Sequence, residues 1–75
     1  MDVMIEVVGK SLRVSAGNGS VVLGHVPLTP SDGDRRRFFA RLHERAADIG
    51  VDAAALALAI ADIRERLAAA SAGKV

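Results

Sequence analysis

The sequence predicts an α+β domain: a three-stranded antiparallel meander followed by an antiparallel helical hairpin, in the order βββαα. Three observations carry the prediction. β-Branched residues and glycines fill the chain before Pro27, and Ala, Leu, Arg and Asp fill it afterwards. Two glycine-containing turn signals, at residues 9–10 and 17–19, divide the first part into short segments. A helix start at residues 29–34 and a glycine at position 50 bracket the first of two helical patterns in the second part.

Taken in order, residues 2–8 are rich in Val and Ile and read as a strand. Gly9 and Lys10 suit a two-residue turn. Ser11 to Ser15 alternate, with Leu12 and Val14 on one face. Asn18-Gly19 is a strong hairpin signal, and residues 20–26 form the third strand, closed by Pro27. Two starts compete for the first helix. Thr29 can cap it with Pro30 at the first position and Asp32 in the capping-box slot, or Ser31 can cap it with Asp34 three residues on. The helix, residues 31–49, then places Phe38, Phe39, Leu42, Ala46 and Ile49 on one arc. Gly50 ends it as a left-handed cap and Asp52 caps the next helix, residues 52–70, with Val51 and Leu56 placed as a hydrophobic staple. Residues from Ala68 onward are expected to fray, leaving 71–75 as a loose end of a single domain spanning 1–75.

The expected core is Ile5, Val7, Leu12, Val14, Val22, Phe38, Leu42, Ile49, Leu56, Ile60, Ile63 and Leu67. In the second helix, Ala53, Leu56, Ile60, Ile63, Leu67 and Ala70 follow a 3-4-3-4-3 spacing, a heptad seam. Leu58 and further alanines cover much of its remaining surface. A helix apolar nearly all round is buried on more than one side. In 75 residues with two aromatic rings and no cysteine, one of those sides is expected to belong to a second copy. The predicted homodimer interface is Leu56, Ile60, Ile63 and Leu67.

Composition excludes several classes. Fourteen of the apolar residues are alanines, so the 51% apolar content overstates the area available for burial. Without Cys there is neither a disulfide framework nor a thiolate metal site. A net charge of +1 announces no nucleic-acid or membrane partner by itself. The longest apolar run, residues 53–61, is far short of the ~20 residues of a membrane span, and the first residues lack a basic leader, so cytoplasmic residence is expected.

The chemical motifs the chain approaches fail on spacing. Gly9-Lys10-Ser11 resembles the end of a phosphate-binding loop, but position 4 is Met and a strand follows where a helix is required. His43-Glu44 opens like a zinc-protease motif, but residue 47 is Ala. His25 has no partner assignable from sequence. Ser11, Ser15, Ser20 and Ser31 have strand, turn or cap duties. No catalytic residue, metal ligand or cofactor site is therefore assigned, and the chain is not expected to be an enzyme.

Arg35, Arg36, Arg37, Arg41 and Arg45 place five of the ten basic residues within eleven positions. Three lie in the first turns of a helix, where the macrodipole disfavours cations. Asp32, Asp34, Glu44 and Asp48 offer i, i+3 partners, and this near balance is poor for phosphate binding. The cluster reads either as a self-compensated solvated face or as a docking site for an acidic protein surface, with nucleic acid as the alternative partner. Arg37, Arg41 and Arg45, spaced by four, form the stripe in either functional case.

Two local resemblances bear on this. Ala46, Ile49, Gly50, Val51 and Leu56, within residues 42–58, resemble the spacing of a helix-turn-helix. The residues its second helix would expose (Asp52, Ala53, Ala54, Ala55, Ala57 and Leu58) offer no hydrogen bonds suited to reading bases, and Asp52 would repel phosphate. Residues 5–14, Ile-Glu-Val-Val-Gly-Lys-Ser-Leu-Arg-Val, resemble the opening hairpin of the ZapA family of cell-division accessory proteins. That resemblance implies binding to a tubulin-like division protein and oligomerisation through long C-terminal helices. It covers ten residues, and the chain departs from the family in its third strand and in lacking a long coiled coil, so no functional residue is carried over. The expected function is a small non-catalytic interaction module, a homodimeric adaptor, inhibitor or regulator of the size phages and mobile elements carry. The alternative is a nucleic-acid-binding regulator using the arginine-rich helix.

Overall fold

The computed structural model describes residues 2–72. Strands β1 (Val3–Val8), β2 (Ser11–Ala16) and β3 (Val21–Pro27) form one antiparallel sheet in the order β1-β2-β3, followed by α1 (Asp32–Ile49) and α2 (Ala53–Ala72). Both helices lie on one face of the sheet, α1 against β3 and α2 against β1. They run back along one another: Arg64 of α2 stacks on Phe39 of α1, and the two residues are nearly equidistant from the connecting turn at residues 50–52.

Local chemistry sets the boundaries. Of the two competing helix starts, Ser31 is the cap. Its hydroxyl accepts from the Asp34 N–H at 3.1 Å, and the Asp34 carboxylate accepts from the Ser31 N–H at 3.4 Å, completing the capping box. At the other end, Gly50 takes φ 77°. Its N–H reaches the Ala47 carbonyl at 3.3 Å, and the Val51 N–H reaches that of Ala46 at 2.9 Å. These are the two bonds of a Schellman motif, which needs the left-handed residue that glycine supplies. Asp52 caps α2 more weakly, accepting from the Ala54 N–H at 3.4 Å. Helix α2 continues to Ala72, through residues 68–72 where fraying was expected; residues 73–75 of the expected loose end lie outside the described residues.

The core joins Leu12, Val14 and Ala16 of β2, Leu23 and Val26 of β3, Phe38 and Leu42 of α1, and Ile63 and Leu67 of α2. Two expected core positions are corrected. Val7 is 57% exposed, because at the Gly9 end of the edge strand it lies beyond the helical cover. Val22 is 38% exposed and Leu23 takes its place in the core. The cause is a β-bulge. Val14 pairs with Gly24, but Ser15 pairs with Val22, so Leu23 is an extra residue and the alternation of β3 changes phase there. Gly24 leaves room for α1: a Cβ there would lie 3.2 Å from the buried Phe38 ring. Ile5, Ile49, Leu56 and Ile60 pack against the core half-buried, Ala46 is buried on the expected arc of α1, and Ala16, Val26 and Ala59 are buried without having been expected.

The second face of the sheet has no helix on it. It carries Met4, Glu6 and Val8 of β1, Arg13 and Ser15 of β2, and Val22 and His25 of β3. Arg13 and Glu6, directly opposite in register, pair at 3.1 Å. Ser15 lies between Met4 and Val22 in the register, 1% exposed, and its hydroxyl has no hydrogen-bond partner.

Candidate functional site

The five arginines of α1 follow from its amphipathic phase. With Phe38, Leu42 and Ala46 turned into the core, the residues just before each of them emerge along one flank of the helix. Arg37, Arg41 and Arg45 therefore share a groove of about 470 Å³ whose other wall is β3 from Val22 to Pro27. Arg35 and Arg36 fall on the opposite flank. They line a wider groove, about 1130 Å³, between the start of α1 and the end of α2, together with Phe39, Arg64 and Leu67. The expected cluster is thus two sites, divided by the buried edge of α1. Its expected stripe, Arg37, Arg41 and Arg45, stays together.

The two grooves differ in how their charge is held. In the first, Arg37 donates to the Asp34 carboxylate at 2.8 Å. The Ser31 side chain, then the Arg37 guanidinium and the Ser31 N–H, hold the Asp34 carboxyl below the ordinary Asp range. Arg41 and Arg45 have no ion-pair partner among the described residues; the i, i+3 pairs expected with Glu44 and Asp48 do not form. In the second groove, Phe39 packs edge-on against Phe38, with centroids 5.2 Å apart, and carries the Arg64 guanidinium 5.4 Å from its ring centre. Arg64 was not among the expected site residues. Its sequence signal, one of four charged residues between Asp62 and Arg66, points to nothing until α2 is docked. The β3 edge was missed for the same reason: nothing local to residues 22–27 says that an arginine row runs beside them.

The expected dimer residues are placed mostly inside the chain. Ile63 is 0% and Leu67 5% exposed, both spent in this chain's own core, and Leu56 and Ile60 are half-buried against it. The exposed apolar surface of α2 includes instead Ala54, Ala57, Leu58 and Ala61 on one face, with Leu58 74% exposed.

His25 and His43 are both exposed, on β3 and α1. Among the described residues no three His, Asp or Glu side chains are grouped as metal ligands, and no helix is long and apolar enough to cross a membrane. No family model, curated protein or solved structure matches this chain. The functional reading therefore rests on the two grooves and the exposed faces.

Proposed function

We propose that this chain is a non-catalytic protein-interaction module, an adaptor, inhibitor or regulator resident in the cytoplasm, that docks an acidic surface of its partner through α1. One observation carries the reading: Arg37, Arg41 and Arg45 share a single groove, and the last two are left unpaired by the fold. An arginine with no internal partner keeps its donors for a carboxylate on another molecule, a bidentate charge-assisted contact. Arg35 and Arg36 extend the basic surface across the helix into the second groove.

Reversing charge at Arg41 and Arg45 together is expected to abolish binding to a Glu-rich peptide, measured by calorimetry, while the thermal unfolding midpoint stays in place. Unchanged binding would remove the site from α1. Duplex DNA titrated across a salt series tests the alternative. A steep negative slope of log K against log salt would support nucleic acid, through Arg35, Arg36, Arg37, Arg41 and Arg45. The homodimer is proposed on the outer face of α2. Light scattering is expected to give a dimer at low and high salt that Leu58→Glu converts to a monomer.

A further inference from the structure

We propose that β3 takes a fourth strand: an extended acidic segment of the partner adds along its free edge, with carboxylates at alternate positions facing Arg37, Arg41 and Arg45. This rests on the acidic-docking reading and gives it a geometry. The first support is the edge itself. β3 pairs only with β2, and the Leu28 N–H turns inward to the Lys10 carbonyl at 2.9 Å. Alternation then turns Val26 and Gly24 inward as well, in register with Leu12 and Val14, and turns Pro27, His25 and, past the bulge, Val22 outward. Pro27 offers only its carbonyl, while His25 and Val22 offer both N–H and C=O, and none of these groups makes another backbone hydrogen bond among the described residues. They form the template that strand addition uses.

The second support is the match of the two walls. The groove is lined by β3 from Val22 to Pro27 and by α1 from Asp34 to Arg45. At ~3.4 Å per strand residue and ~1.5 Å per helical residue, both walls are about 17 Å long. Arginines four apart on a helix recur every ~6 Å, and every second residue of a strand every ~6.8 Å. An added strand would turn one set of side chains toward the helical side of the sheet, onto the arginine row. The other set would join the uncovered face beside Val22, where apolar residues fit. The occupant is therefore a segment alternating acidic and apolar residues. Among the described residues, β1, the other edge, has no row of arginines four apart beside it.

The test uses a synthetic peptide alternating Val and Glu, the same peptide with Lys for Glu, and two versions N-methylated at either the Val or the Glu amides. A strand pairs with β3 through one edge only. Strand addition thus predicts that the Glu peptide binds, the Lys peptide does not, one methylated version loses affinity by about tenfold or more, and the other keeps it. The His25 amide should gain protection from hydrogen exchange on binding, and Arg45→Glu should weaken binding by about tenfold. If both methylated versions bind like the parent, strand addition is overturned and acidic docking stands. If no Glu peptide binds, both fall, and duplex DNA binding in the same buffer would assign the arginines to phosphate. A second copy of this chain holding the β3 edge would show as His25 protection that grows with protein concentration and excludes the peptide, which also overturns the proposal.

Discussion

The two helices are built from opposite materials and are positioned in opposite ways. α1 is charged on most of its surface and buries three residues, Phe38, Leu42 and Ala46, in one row. α2 also buries three, Ala59, Ile63 and Leu67, but its first half, residues 53–61, is apolar on every side, with Leu58 in solvent, and its charges are gathered at Asp62, Arg64, Glu65 and Arg66. A helix with one apolar stripe has one way to dock. A helix apolar all round has several, and its orientation is chosen by bulk: Ile63 and Leu67 fill more of the core than Leu58 would with alanines beside it. The difference teaches where each helix is free to act. α1 offers charge beside a sheet edge; α2 offers apolar surface on the side away from it.

The largest expected effects test whether that division of labour is real. Leu42→Ala and Ile63→Ala remove side chains that are 0% exposed, one from each helix. Each is expected to cost about 2–5 kcal/mol, enough to unfold much of so small a domain. Leu58→Ala is expected to leave the stability of the folded chain within about 0.5 kcal/mol. Denaturant titration of all three checks the comparison, and a large loss at Leu58 would mean that its face is covered.

Next in size is the contact that seats α1 on β3. Gly24→Ala sets a methyl 3.2 Å from a Phe38 ring that is itself buried and has little room to yield. A loss of about 1–3 kcal/mol is expected, read as a lowered thermal midpoint.

The helix starts sharpen the comparison further. Ser31→Ala breaks a reciprocal capping box and is expected to cost about 1 kcal/mol; Asp52→Ala, which removes only a 3.4 Å bond, should cost less. The first also carries a pH signature. Folding lowers the Asp34 pKa, so the carboxylate's contribution is present above its unfolded value, near 3.8, and is lost as pH falls through the lower folded value. In Ser31→Ala, the steepness of acid destabilisation below about pH 4 should diminish. An unchanged acid limb would place the stabilisation elsewhere.

The smallest change is a gain. Ser15 hides an unpartnered hydroxyl on the side of the sheet that neither helix covers. Ser15→Ala is expected to stabilise the chain by up to about 1 kcal/mol, a rise of a few degrees in Tm.

Much of this architecture was legible in the residues. The hairpin turns, the competing caps at Thr29 and Ser31 and the stop at Gly50 are short-range devices, and the strands and helices start within a residue or two of where those devices place them. The arginine stripe was legible for the same reason, since helical spacing alone puts Arg37, Arg41 and Arg45 on one flank. The division of the cluster into two grooves was not. Helical spacing already turns Arg35 and Arg36 away from the stripe, but the groove they line exists only once α2 docks and Arg64 reaches Phe39, 25 positions away in the chain.

What the sequence by itself determined is features held by short-range spacing and bonds: the order βββαα, the stop of α1 at Gly50 and the buried row of α1. What only the tertiary structure decided is every feature that depends on which surfaces meet. The bulge at Leu23 exchanges Val22 for Leu23 in the core, beside the point where Phe38 of α1 packs over Gly24. Ile63 and Leu67, spaced like a seam between chains, are consumed inside one chain because the helical hairpin brings them onto the sheet first. Spacing records which residues share a face; only packing assigns that face a neighbour.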